Sequence, residues 1–409
     1  MTSNALSPLP SAEANVQELA KRAREYLEIL AGEIGARPAG SAAERQAMDY
    51  AAGLLSQWGY NVSRQAAAFA PPPRFSLPYL IGALAMGLGG WLIRPAPWLA
   101  VWLPILFMVL PQWSRGWIQR RKPTHISENL FARRGQPNEQ PPSLILCAHI
   151  DSAAATPLRR KSLLKLYSRG MDILQRLAWM IAAMSGLQML GWGADNIIIF
   201  PLAALGTLAG LALAATQLLR LPSPNGRQDE KPSAAFSPGA NDNASGVGVL
   251  LALAEALAQQ EANGKIAFLF TGAEETGLHG AKAFAEEHQS WKDHTAVMCL
   301  DMVGKGENLY YVAQEGVFFP LHTSPSLNQK LLKANPRLKP VWYTLRSGDF
   351  AAFCRAGFQA ASLQSGGAGL VDWSYHSIYD TPAQIETQAL EHVLATLVNY
   401  LKDGLVEPL

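Results

Sequence analysis

Two glutamates stand side by side in "FTGAEETGLHG" (Phe270 to Gly280), directly after the apolar run "KIAFLF". Adjacent carboxylates repel, and each raises the other's pKa. A solvated loop is the plainer explanation of such a pair; a bound cation that gives Glu274 and Glu275 different work is the sharper one. Other acidic and histidine residues fall at comparable places. "LILCAHID" ends in His149 and Asp151, "GANDNASG" carries Asp242, "AVMCLDMVG" carries Asp301, and "VDWSYHSIYDT" carries His376. Each alone reads blandly: a histidine after a strand is often a hydrogen-bonded loop residue, and Asp242 could cap the following helix. Together, two histidines and several carboxylates suit zinc, which takes N and O donors at about 2.0–2.2 Å. The set suffices for two metals sharing one carboxylate.

The surrounding elements must gather these groups. Residues 11–34 read as a helix with Ser11 as N-cap and apolar positions at Val16, Leu19, Ala20, Ala23, Tyr26 and Leu27. "GARPAGS" is a loop, and "AAERQAMDYAAGLLSQWGY" a second helix stopped near Gly59. "NVSRQAAAF", "SENLFARR", "PPSLILCAHID", "KIAFLF" and "TAVMCLDMVG" read as strands. Val247, Leu250, Leu251, Leu253 and Leu257 give a buried helical face after the Asp242 loop, and further helices are expected at 276–289, 325–334, 348–356 and 386–402. Strands alternating with helices predict an α/β fold with a mostly parallel sheet, whose ligands gather at the strands' carboxyl ends. There is no internal repeat.

The chain has 409 residues, a net charge of +2 and no nucleic-acid footprint. It is 49% hydrophobic and only 16% charged, and the excess lies in four blocks: Phe75–Ile93, Ala96–Trp113, Leu177–Gly193 and Ile197–Leu219. A membrane span needs ~20 apolar residues, so the blocks predict four transmembrane helices in two hairpins. The expected divisions are the start of the α/β domain at 1–72, hairpins at 73–113 and 173–219, and the rest of that domain at 114–172 and 220–409. Lys and Arg concentrate outside the hairpin tips, at Arg115, Arg120, Arg121, Lys122, Arg159, Arg160, Lys161, Lys165, Arg169, Arg176 and Arg220. That asymmetry predicts a multi-pass protein of a bacterial inner membrane, with its soluble part cytoplasmic. The polar, Pro/Ser-rich opening "MTSNALSPLPSAEANVQEL" does not read as a signal peptide, so none is expected there. Cys147, Cys299 and Cys354 have no spacing that suggests a disulfide framework or a cysteine zinc site.

In order and surroundings these motifs resemble the co-catalytic di-zinc aminopeptidases, relatives of glutamate carboxypeptidase and the transferrin receptor ectodomain. The resemblance runs from about residue 15 to 405, apart from the two hairpins. It is carried by "HID", "PGANDNASGVGVLLALAEAL", "FTGAEETGLHGAKAF", "LDMVG" and "YHSIYDTPAQI" in that order. It implies a three-layer sandwich around a mostly parallel mixed sheet, holding two zinc ions per chain. Asp242 would bridge both metals, His149 and Asp301 would complete one site, and Glu275 and His376 the other. Asp151 would hold the far nitrogen of His149. Glu274 would be the general base that takes a proton from the attacking water and returns it to the leaving amine. Tyr375 would polarise the oxyanion. The implied activity is removal of N-terminal residues from peptides, with carboxypeptidase or glutaminyl-cyclase chemistry as related alternatives. A silent binding or scaffold protein, in which the hairpins matter and the peptidase fold is a docking module, is the rival of another class. Expected partners are the peptide substrate, the lipid bilayer and a second copy of the chain.

Overall fold

A computed structural model describes residues 12–71, 77–107, 109–110, 120–135, 140–192, 196–218, 236–258, 265–317, 319–344, 346–366 and 372–402. The expected cap Ser11 lies outside them. Helix α1 (Ala12–Leu27) runs on as a π-type segment, Glu28–Ile34. Helix α2 (Ala42–Gln57) begins at Ser41, whose hydroxyl accepts from Glu44 N–H. The Glu44 carboxylate reaches back to Gly40 N–H, a reciprocal arrangement close to a capping box. Gly59, at φ 81°, closes the turn that follows.

Among the described residues nine strands form one sheet: β1 (Asn61–Phe69), β2 (His125–Arg133), β3 (Leu144–His149), β4 (Ile266–Thr271), β5 (Ala296–Leu300), β6 (Asn308–Glu315), β7 (Leu321–His322), β8 (Lys339–Tyr343) and β9 (Gln359–Gly366). Their order is β1-β2-β4-β3-β5-β9-β6-β7, with β8 also on β6. The central four, β4-β3-β5-β9, are mutually parallel, and antiparallel strands flank them. The five strands expected from the sequence are β1 to β5; β6, β7, β8 and β9 are additional.

Every residue of β3 is buried, as befits a parallel strand covered on both faces. Successive side chains alternate between two cores. Leu144, Leu146 and Ala148 join the face covered by α1, α2, α6 (Ser245–Ala258) and α10 (Thr387–Lys402). Ile145 and Cys147 join the face covered by α7 (His279–Glu287) and α9 (Asp349–Arg355). The result is helix, sheet, helix. Fully buried Phe268 and Phe270 on β4 lie in the first core, and truncating either to Ala would cost about 3–5 kcal/mol.

The apolar blocks require a correction. Among the described residues no helix is long and apolar enough to cross a membrane, which overturns the expected multi-pass inner-membrane protein and its transmembrane hairpins. Block one forms α3 (Leu77–Leu92), whose 16 residues reach only about 24 Å, against a hydrocarbon core of about 30 Å. Block two opens with a four-residue turn, Pro97–Ala100. Block three is the latter part of α4 (Lys161–Met189), continuous with Lys161, Lys165, Arg169 and Arg176. Block four forms α5 (Asn196–Leu218), which contains Pro201. These segments pack on one another in a cluster of their own, built on Met86, Phe107, Leu177, Ile181 and Leu202. The backbones come close: a Cβ on Gly90 would lie 2.5 Å from Ala203 Cα. The count of uncharged residues that suggested spans therefore reflects, in part, a small helical core. Trp98, Trp102, Leu166, Leu190 and Leu208 on these segments are exposed.

Candidate metal centre

The central parallel strands all end at one edge, and the site lies there. His149 is the last residue of β3 and is 3% exposed. Glu274 and Glu275 follow β4, Asp301 follows β5, and the 372–380 loop follows β9. Asp242 comes from the loop that opens α6, and the Asp242–Asn243 peptide is cis. Three non-glycine residues with positive φ sit at these strand ends: Ala273 before Glu274, Met302 after Asp301, and His376 itself. Such conformations persist only where the surroundings enforce them, typically at functional sites.

All five expected ligands converge. Asp242 lies between the histidines, with Oδ1 3.2 Å from His149 Nε2 and Oδ2 3.1 Å from His376 Nε2. His149 Nε2 is also 3.7 Å from Asp301 Oδ1, and His376 Nε2 is 3.2 Å from Glu275 Oε2. Two triads result, His149–Asp242–Asp301 and Asp242–Glu275–His376. Donor atoms of His149, Glu274 and Glu275 also lie within 4.8 Å of one another, so Glu274 is beside both triads.

The donor set fits zinc. Glu275 Oε1 and Asp301 Oδ1 are buried and have no hydrogen-bond partner among the described residues. Buried oxygens are normally satisfied, and one orphan in each triad is what ligand atoms facing a cation would give. Each triad offers one imidazole and two carboxylates, the N and O donors of a catalytic zinc with a position left open.

The groups perturb one another strongly. Burial works to raise Asp242, but hydrogen bonds from His149 and His376 outweigh it and hold its carboxyl far below the usual range. Burial pushes Glu275 up to about 7 against the opposing charge of His376. Burial also raises Glu274 well above the ordinary carboxylate range; His149 opposes this, and Glu275 adds to it. For His376, burial acts to lower the pKa, but the Glu275 charge and hydrogen bonds to Asp242 and Glu275 prevail and lift it to about 10.

Asp151 meets the far nitrogen of His149 and makes a second set of contacts besides. His149 Nδ1 lies 3.1 Å from the Asp151 carbonyl and 3.5 Å from its carboxylate Oδ1. The carboxylate's own short contacts are to the glutamate pair: Oδ1 accepts from Glu274 N–H and Oδ2 from Glu275 N–H, each at 3.1 Å. Asp380, which sequence reading passed over, repeats the device. It accepts from Asn241 N–H at 2.9 Å and Asp242 N–H at 3.1 Å. Tyr375 stacks its ring on His376, with centroids 3.8 Å apart, and the Arg346 guanidinium lies 5.1 Å from the Tyr375 centroid. Burial holds the Tyr375 hydroxyl well above its ordinary pKa.

Other residues were equally silent in the sequence. Asp349 is buried behind Thr271 and accepts from its hydroxyl, and burial pushes it up to about 6. Glu44 is buried under the glutamate turn and accepts from Ser127 Oγ at 2.7 Å. A Cβ on Gly272 would collide with Ser127 Oγ at 2.1 Å, so only glycine passes here.

Solved structures share the fold. The glutaminyl cyclase of Porphyromonas gingivalis aligns with a TM-score of 0.55 at 16% identity, covering 94% of this chain and 98% of that one. BSAP, a zinc aminopeptidase from Bacillus subtilis, aligns with a TM-score of 0.54 at 16% identity, covering 94% and 95%. Among curated proteins, Aminopeptidase YwaD of Bacillus subtilis is 38% identical over 90 residues, a likeness spanning 20% of either chain. Residues 228–401, which contain Asp242, Glu274, Glu275, Asp301 and His376, match the family described as Peptidase family M28.

Proposed function

We propose that this chain is a zinc-dependent metallopeptidase that removes N-terminal residues from peptides, with two zinc ions per chain. The observation that carries the reading is the placement of Asp242, one oxygen toward each histidine, with each histidine nitrogen also close to a further carboxylate, Asp301 or Glu275. His149, Asp242 and Asp301 would hold one ion, and Asp242, Glu275 and His376 the other. Bound zinc lowers the pKa of water and polarises a carbonyl. Glu274 lies beside both triads, where it would take a proton from the attacking water and hand it to the leaving amine. A raised pKa suits a group that must carry a proton between those steps. Tyr375 keeps its hydroxyl proton and would donate it as a hydrogen bond to the developing oxyanion.

The zinc aminopeptidases among the structural relatives support this reading. The glutaminyl cyclases among them favour a second one, in which the same edge cyclises N-terminal glutamine. Two complete triads, each with one imidazole and two carboxylates, favour the two-metal hydrolytic reading. The deciding experiment measures zinc per chain and turnover on a panel of aminoacyl amides and N-terminal glutaminyl peptides. Two zinc ions with amide hydrolysis would uphold the proposal; one zinc with cyclisation alone would replace it.

A further inference from the structure

Two buried cations flank the site, and neither is a ligand. Arg37 is wholly buried in the loop before α2. Its guanidinium donates to the carbonyls of Leu30 and Ile150 at 2.9 Å, Gly35 at 2.7 Å, Pro238 at 2.8 Å and Gly239 at 3.0 Å. Ile150 follows His149, and Gly239 begins the Asp242 loop, so one side chain ties the His149 strand end to that loop. Lys305 is 7% exposed, beyond Asp301. Its ammonium donates to Asp372 Oδ2 at 2.6 Å and to Ser374 Oγ, and lies 3.9 Å from Asp380 Oδ1. Those residues bracket Tyr375 and His376, and Asp380 in turn clasps the Asp242 amide. Lys305 thus ties the His376 loop to the Asp242 loop through Asp380.

Neither cation is placed by chance. A buried charge is costly unless fully paired, and both are paired to segments that carry ligands. Arg37 spends its fork on carbonyls, which leaves the carboxylates free for metal. Lys305 pairs with Asp372 and Asp380, which are not ligands in either triad.

Resting on the two-metal reading above, we infer that Arg37 and Lys305 are positioning residues, each serving one metal position: Arg37 the His149–Asp301 side, Lys305 the His376–Glu275 side. The Asp242 loop is held at two points, at Gly239 by Arg37 and at the Asp242 amide by Asp380 beside Lys305, so loosening one hold misplaces one Asp242 oxygen more than the other.

The test titrates the metal-stripped full chain with Co²⁺ and reads binding and the visible spectrum, with thermal melting as a control of folding. Lys305→Met should weaken one equivalent about 10–100-fold, the usual effect of losing a group that orients ligands, and leave the other within about two-fold of the unsubstituted chain. In a Glu275→Gln background that loss should vanish. Arg37→Lys, which keeps the charge but not the fork, should weaken the other equivalent and lose its effect in an Asp301→Asn background. Lys305→Gln and Arg37→Gln provide second variants should the first not fold. Equal weakening of both equivalents by either substitution, or of neither, would overturn the inference. So would unfolding of both variants at one position, since that residue would then be a general prop. Fewer than two equivalents on the unsubstituted chain would instead sink the two-metal reading, and that result is visible before any variant is made.

Discussion

The two carboxylate oxygens of Asp242 address different histidines, Oδ1 to His149 and Oδ2 to His376, at 3.2 and 3.1 Å. One side chain therefore belongs to both triads. Asp242→Asn replaces one oxygen by a donor nitrogen and should weaken both metal equivalents. Zinc measured after dialysis should fall from about two per chain to one or fewer. Retention of two would remove Asp242 from its bridging role.

The adjacent glutamates should separate cleanly. Glu275→Gln removes a charged donor, so zinc and activity should fall together. Glu274→Gln keeps both triads, so zinc should stay near two while kcat drops by ~10²–10⁴ and KM changes little. Turnover within a few-fold of the unsubstituted enzyme would show that Glu274 is not the base.

Asp151→Asn tests the clasp on the glutamate turn. An asparagine has one oxygen for two amide donors, and its NH₂ would face an N–H where an acceptor now stands. Zinc affinity or activity should fall by about 10–100-fold. If Asp151 served only His149, the Glu274 base would keep its geometry and the pH profile of kcat would be unchanged.

Glu44 predicts a pH-dependent stability. Burial raises its carboxyl from 4.5 to about 8, so the folded chain favours the protonated form. The associated stability is fully present below about pH 4.5 and is lost as pH rises through about 8, with a slope of at most about 1.4 kcal/mol per pH unit. Glu44→Gln should flatten that dependence. Urea midpoints of the two proteins at pH 5 and pH 8 check it; parallel profiles would show that Glu44 does not titrate in this window.

Much of the fold was legible because its signals are local. The helix expected at 325–334 is α8 (Pro325–Ala334), and the helix expected at 348–356 is α9, Asp349–Arg355. The buried strands β3, β4 and β5 announce themselves as short apolar runs between breakers. By contrast β9, "QAASLQSG", mixes small and polar residues although most of it is buried, and its burial comes from neighbours on both faces rather than from its own composition. The apolar blocks misled for a related reason: a count of uncharged residues cannot tell whether Met86 or Ile181 meets lipid or another helix. At the site, acidic and histidine residues at strand ends were visible as a class, and the structure gathers all five expected ligands. Arg37, Lys305 and Asp380 were not visible. Each is a single residue in a loop, and its partners lie up to 202 positions away along the chain.

The parallel order of the strands also gives the site a calendar. One triad draws on positions 149, 242 and 301, the other on 242, 275 and 376. During synthesis the first set exists 75 residues before the second (376 − 301). In the same interval β9, which borders β5 in the finished sheet, is made. A nascent chain therefore completes the His149 triad while the other, already holding Asp242 and Glu275, still lacks His376, so the two positions become complete in the direction of translation.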